Sequence, residues 1–452
     1  MVRRQVSMEK EWKDLSPDEK REERFKWLLT TEGINFVSPE AENAYTTRAQ
    51  RMIAVYKVQE PDRVPVSMPV GFMPAYRDGT DLHTVMYDSA KAVQAWTKFN
   101  REFEMDTYAS PAGVPAGRIF DMLDYKLYLW PGHGLPTSAS GFQFVEGEYM
   151  KPDEYDALIR DPSDFWMRVY LPRVFGSLES FRMLKPLPNL VEMPNVHAGF
   201  MPYTRPEVQA SLRKLIDVGK ELSAWTEVIA KVDQRGPELG FPIIKGSFCK
   251  APFDTLGDTL RGTRGIMMDM YRRPDKLLEA LEVIANLSIA SAIDDANETG
   301  GLLASFPLHK GADGWMSAEQ FETFYWPSLK KVMNAFIDEG LIVSLFAEGS
   351  YNTRLESINE FPKGTVTWLF DQTDMARAKE VLGANCCISG NVPSSLLFNG
   401  TPQGVKEYCR RLIEVCGKGG GFILAPGAID VNAKPENIKA MMEAAKEYGV
   451  YK

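Results

Sequence analysis

From residue 241 onward, short apolar runs alternate with stretches whose apolar residues recur every three or four positions. The runs are FPIIKGSFC (241–249), GLLASFPL (301–308), LIVSLFA (341–347), GTVTWLF (364–370), NCCISG (385–390) and GFILAP (421–426). Each has the length of a strand, and near-continuous apolarity suits strands covered on both faces. The segments near 258–300, 318–339, 351–360, 374–382, 402–416 and 435–447 carry the helical period. Strand followed by helix, repeated in this way, predicts βαβ units and a parallel sheet.

The first half reads less regularly. VPVSMPV (64–70) and MDTYASP (105–111) are two further strands, bringing the total to about eight. Eight strands favour a (β/α)8 barrel of the TIM type over a doubly wound sheet, and no GxGxxG follows any strand. A long amphipathic helix is expected from Glu40 to Val58, ending before Pro61, and another from Arg205 to Lys231. GFQFVEGEYM (141–150) resembles a hairpin strand, a helix starts near Pro152, and the Pro-rich piece 183–206 is expected to be surface loop. Residues 1–48 are expected to form a helical N-terminal extension and 49–452 the barrel.

Composition removes several alternatives. Hydrophobic residues make up 44% and charged residues 25%, which excludes a disordered or fibrous chain. Lys plus Arg is 52 against 61 Asp plus Glu, a net charge of −9 with no long basic run, so nucleic acid is not the expected partner. Five Cys without a CxxC pair are no disulfide framework and favour a reduced, cytoplasmic setting. No uncharged apolar run reaches the ~18 residues of a membrane span, and the charged N-terminus lacks a signal-peptide core.

In a barrel of this kind chemistry sits at the C-terminal ends of the strands. The residues found there are Cys249 and Lys250, then His309, Lys310 and Asp313, then Glu348, then Asp371 and Asp374, then Asn391, then Gly427, Ala428 and Asp430. After the first strand come Gly71, Arg77 and Asp78. His309 is one of four histidines, and its position suits a metal ligand or a general acid/base; a hydrogen-bonded loop histidine is the plain alternative. Glu348 follows an almost wholly apolar run, where a carboxylate needs a partner or a metal. Asp371 is placed the same way, although it could instead cap the next helix. Cys249 is a thiolate candidate, with a small buried residue as the plain reading. Cys386, Cys387, Cys409 and Cys416 read as packing, and His83, His133 and His197 as structural or solvent-facing.

Several segments resemble the uroporphyrinogen decarboxylase superfamily, which includes corrinoid-dependent methyltransferases. They are RMIAVYKVQEPDRVPV, GSFCKAPFDTL (246–256), Met316-Ser317 with AEQFETFYWPSLKKV, SGNVPSSLL with NGTPQGVKEYCRRL, and the C-terminal GGGFILAPGAIDVNAKPENIKAMMEAAKEYG. The resemblance spans Ala49 to Tyr448 and implies a (β/α)8 barrel. The decarboxylases hold their polycarboxylate substrate with an Arg-rich loop after the first strand. Here that loop is GFMPAYRDGTD with Arg77 alone, and Asp78 or Asp81 stands near the position of the decarboxylase Asp. Thiol-methylating members bind zinc through His-x-Cys and a last-strand Cys; here these positions read Phe346-Ala347-Glu348 and Pro426-Gly427-Ala428.

The resemblance therefore implies a methyltransferase-like enzyme that moves a methyl group between a small methylated substrate and a corrinoid on a partner protein. His309 and Glu348 would bind zinc or another divalent metal, or act as acid and base, with Asp371 supporting them. Arg77, Asp78, Cys249, Lys250 and Asn391 are the expected substrate contacts. A decarboxylase acting on a porphyrinogen-like or other carboxylate is the alternative, and a non-catalytic binding protein on the same barrel the third reading. A homodimer is among the expected assemblies.

Overall fold

The computed structural model describes residues 10–187, 192–428 and 431–451. Six parallel strands form its central sheet: β1 (Gly246–Phe248), β2 (Leu303–Leu308), β3 (Ile342–Ala347), β4 (Val366–Phe370), β5 (Cys387–Val392) and β6 (Phe422–Pro426). Their spatial order is their chain order. Two extended segments of the first half close the ring. Ser67 N–H donates to Leu424 O (3.3 Å) and Leu424 N–H to Pro65 O (2.9 Å), joining residues 64–68 to β6. Asp106 N–H then donates to Val66 O (2.9 Å) and Tyr108 N–H to Pro242 O (3.2 Å), which leads back to the approach to β1. The expected eight-membered barrel is present, with a physical reason for its irregular side. Pro65, Pro69 and Pro242 have no N–H to donate, so the ladders break there and the strand expected over 241–249 is regular only at Gly246–Phe248.

Helices cover the outside. Pro274–Thr299 follows β1, Trp326–Asp338 follows β2, Met375–Leu382 follows β4, Pro402–Cys416 follows β5 and Pro435–Tyr448 follows β6. The helix expected over 351–360 is replaced by a run of turns. Polar side chains capture its backbone instead: Tyr351 N–H donates to Thr373 Oγ1 (3.0 Å) and Thr353 N–H to Asp313 Oδ1 (3.3 Å). The segment read as loop over 183–206 contains a helix at Met193–Phe200, begun by Pro194, a residue suited to a first helical turn. The second long helix, Pro206–Glu238, outruns its expected end by about two turns. Gln143–Phe144 pairs antiparallel with Tyr128–Leu129 as the hairpin reading requires. Among the described residues no helix is long and apolar enough to cross a membrane.

The N-terminal helices seal one end of the barrel. Pro17–Leu29 begins with a Ser16/Glu19 capping box, and Pro39–Tyr56 with Ser38 accepting from Ala41 N–H. The second helix buries Ala41, Tyr45, Ala49, Met52 and Tyr56, a stripe spaced by three and four residues. Together with Phe25 and Leu28, most of this stripe packs on Leu302, Ile342, Cys387 and Ile423, all at the N-terminal ends of barrel strands. Arg24, buried, donates to Gly301 O (2.5 Å) and Asn297 Oδ1 (2.7 Å), fixing the first helix to the floor.

Asp106 joins the two irregular strands. Fully buried, it accepts from Val66 N–H (2.7 Å) and from both Arg51 and Arg63. Asp106→Ala would leave Arg63 without its counter-ion and Arg51 with Asp62 alone, and is expected to cost about 3–5 kcal/mol, read from chemical denaturation.

Candidate active site at the barrel mouth

Strand side chains alternate between the two faces of a sheet. In β2, Ala304, Phe306 and Leu308 are buried against the helices, and Phe306 packs on Phe336 at 5.7 Å between ring centres. Leu303, Ser305 and Pro307, half-buried, face the lumen. The same parity sends Ser344 and Phe346 of β3, and Leu369 of β4, inward. The register pairs Leu308 with Ala347, Ala347 with Phe370, and Leu369 with Ser389. One step beyond, His309, Glu348 and Asp371 share the next inward layer, and Asn391 takes its place in β5. Four of the expected site residues thus occupy four adjacent strands in one layer at the C-terminal mouth.

His309 is held on two sides. Its Nδ1 lies 2.6 Å from Asp258 Oδ2, and its backbone N–H donates to Asp254 Oδ2 at 3.0 Å. Asp258 also receives Lys250 Nζ at 2.5 Å and Lys310 Nζ at 2.6 Å. Burial pushes the Asp258 carboxyl up, but hydrogen bonds from His309 and the two lysines outweigh it and hold the group well below the usual range. An ionised Asp258 requires Nδ1 to be the donor, leaving Nε2 as the ring nitrogen for other work. The hydrogen bond to Asp258 pushes the His309 pKa above its ordinary 6.5; burial opposes the shift, and the charges of Asp254 and Glu348 add to it.

Behind them Asp254, fully buried, accepts from His309 N–H, Lys310 N–H (3.0 Å) and Tyr325 O–H (2.8 Å). It clamps the strand end that presents the imidazole, and burial together with Asp258 pushes its own pKa up.

Glu348 is exposed at the rim and makes no hydrogen bond or ion pair with the described residues. Partial loss of water pushes its carboxyl up; His309 opposes this, while Asp254, Asp371 and Asp258 reinforce it. Asp371 Oδ2 accepts from the Gly349 N–H at 3.2 Å. A Cβ on Gly427 would fall 2.7 Å from Asp371, so only glycine lets β6 end this close to the carboxylate.

Other expected contacts lie elsewhere. Arg77 donates to Glu102 Oε1 (3.0 Å), and Asp78 accepts from Gln94 (2.8 Å) and Lys98 (3.0 Å), so both are bound to the helix Ser89–Glu102. Cys249 is buried, and burial pushes its thiol up to about 11, away from thiolate chemistry. Lys250 reaches the site through Asp258. Asn391 Nδ2 donates to Thr373 O at 2.8 Å. Asp430 lies outside the described residues.

Among the described residues no three His, Cys, Asp or Glu side chains form a group that could hold a metal ion. The expected pair, His309 through Nε2 and Glu348, therefore has no third such side chain grouped with it among the described residues.

Asp254, Asp258 and Tyr325 were not singled out by sequence reasoning. The signal was present: two aspartates four residues apart in the apolar run Pro252–Leu260 share one helix face, where unpaired carboxylates would be costly.

Comparison with known proteins agrees with this architecture. The family model described as uroporphyrinogen decarboxylase (URO-D) matches residues 192–448. The uroporphyrinogen decarboxylase of Chlorobaculum tepidum is 24% identical over 256 residues, covering 53% of this chain and 69% of that protein. That of Azoarcus sp. is 25% identical over 289 residues (61% and 72%), and that of Danio rerio 20% over 261 (55% and 68%). Among solved structures, a methyltransferase from Methanosarcina mazei superposes with a TM-score of 0.55 at 14% identity, covering 90% of this chain and 98% of that one. With more than half of its length matched by the family model and the same barrel in its structural neighbour, the chain belongs to the uroporphyrinogen decarboxylase family.

Proposed function

We propose that this chain is a methyl-transfer enzyme that protonates the leaving atom of a small methylated substrate while its methyl group passes to a corrinoid carried by a partner protein. The observation that carries the reading is a pair of acid–base groups in one layer: His309, hydrogen-bonded through Nδ1 to Asp258, which pushes its pKa up, and Glu348, whose carboxyl is pushed up as well. The corrinoid would supply the nucleophile that takes the methyl group. Glu348 is exposed at the rim, so a large cofactor presented from outside can approach the layer.

The chain's own residues deal with what remains. When the carbon–oxygen or carbon–nitrogen bond breaks, its electron pair stays on the heteroatom, which needs a proton. His309 Nε2–H and the Glu348 carboxyl are the two available sources. Asp258 holds the imidazole in orientation, and Asp254 fixes the strand end beneath it. The donor set does not fit a three-ligand zinc site, so no step depends on a metal.

Porphyrinogen decarboxylation has weaker support. The single Arg of the first loop is bound to Glu102, and one guanidinium is a poor match for a polycarboxylate. Purified protein should therefore release negligible carbon dioxide from uroporphyrinogen. With chemically reduced cobalamin as free acceptor, it should methylate the cobalamin from a methyl ether or methylamine. Carbon dioxide release without any methyl transfer reverses the assignment.

Glu348→Gln gives a second test. It keeps the shape and removes a carboxylate surrounded by other carboxylates, so transfer should slow while the unfolding midpoint at neutral pH stays level or rises. The raised pKa gives the sign: a carboxyl that holds its proton more tightly when folded favours folding most below its ordinary 4.5, and that contribution is lost as pH rises through the folded value.

A further inference from the structure

A second cavity opens beside the mouth, between the end of β1, the helix Pro274–Thr299 and the segment around Trp166. It has a volume of about 460 Å³, within the range of about 300–1,000 Å³ of small-molecule sites. Its wall includes Trp166, Phe248 and Leu287, and the last two are 72% and 41% exposed, large apolar surfaces left open to water. Hydroxyls of Ser163 and Ser291 line it as well.

Among its lining residues Lys250 alone carries a charge. Its ammonium has three N–H donors. One is directed at Asp258 Oδ2, 2.5 Å away, and no other described residue takes a hydrogen bond from the rest. The cavity thus offers a flat apolar wall, hydroxyls and a single cation with spare donors.

We propose that this cavity binds a small organic monoanion with a flat apolar body, its carboxylate on Lys250 and its body between Trp166, Phe248 and Leu287. Lys250 and Asp258 connect the bound ligand to His309.

The test is calorimetric titration of the full chain with 2-naphthoate and with its neutral analogue 2-naphthamide. Naphthoate should bind at one site, at least tenfold more tightly than the amide. Lys250→Gln should weaken naphthoate at least tenfold and bring the two probes level. Ser291→Trp, which fills the cavity and leaves Lys250 in the chain, should remove binding of both; if it fails to fold, Leu287→Ala should weaken both several-fold. Equal affinity of the two probes for the wild type, indifference of naphthoate to Lys250→Gln, or no saturable binding overturns the proposal. Because heat of binding is read without turnover, failure here leaves methyl transfer standing, and failure of methyl transfer leaves binding standing.

Discussion

His309→Ala is expected to lower methyl transfer by about 10²- to 10⁴-fold, the range for loss of a positioned general acid. The effect should fall on kcat, because the proton moves only as the bond breaks. His309 Nδ1 meets Asp258 and the ring is only part-buried, so the fold should survive the change. In the wild type the acid must be protonated. Asp258 pushes its pKa above the ordinary 6.5, so activity should decline as pH rises, at a higher pH than an unperturbed imidazole would give. His309→Ala should erase that alkaline limb. Full activity in the variant with every methyl donor the wild type accepts would place the acid elsewhere, with Glu348 the first group to examine.

Asp258→Ala should produce the largest combined loss. The wild-type carboxylate is shared by Lys250, Lys310 and His309, with distances of 2.5–2.6 Å to all three. Removing it gathers three cationic groups around a part-buried void. Breaking a buried pair in this way costs about 3–5 kcal/mol. Activity should fall as well, because His309 loses the partner that raises its pKa, and any residual alkaline limb should move to lower pH. The pH dependence of the stability loss has a definite sign. The depressed Asp258 contributes stability above its ordinary 3.8, lost as pH falls through the folded value. The raised His309 contributes fully below 6.5 and loses this as pH rises through its own folded value. The difference between wild type and variant should therefore be greatest at mildly acid pH and narrow on either side. A variant with unchanged denaturation at about pH 5–6, between the two ordinary pKa values, would show that the cluster carries no such energy.

The regular side of the barrel was legible because its strands are long and apolar on both faces: the runs at 303–308, 342–347 and 366–370 fall where the pattern places them. The irregular side was harder for a local reason, since Pro65, Pro69 and Pro242 break ladders that only tertiary closure completes. The run at 351–360 carried the helical period, yet its Asn and Thr residues and the distant Asp313 and Thr373 supplied competing partners that periodicity cannot report. At the site, His309, Glu348, Asp371 and Asn391 could be read as strand ends. What organises them was visible only as a pair of aspartates four residues apart, without its partner. Asp254 and Asp258 come from the segment after β1, and their value depends on meeting a strand end 55 and 51 residues further along the chain. Arg77 and Asp78 follow a helix turn at 73–77 and are engaged by Glu102 and Lys98, partners that the strand-end rule does not report.

The helices that seal the barrel floor set the order of events. With Phe25, Tyr45 and Met52 packed over Leu302, Ile342 and Ile423, the far end is covered by an apolar cluster. On the methyl-transfer reading, substrate and product use the C-terminal mouth, the same opening that a corrinoid-bearing partner would cover. On the methyl-transfer reading the small substrate has to enter first and the demethylated product has to wait until the partner departs. Steady-state kinetics should then show compulsory-order binding, with excess partner slowing turnover by trapping product inside.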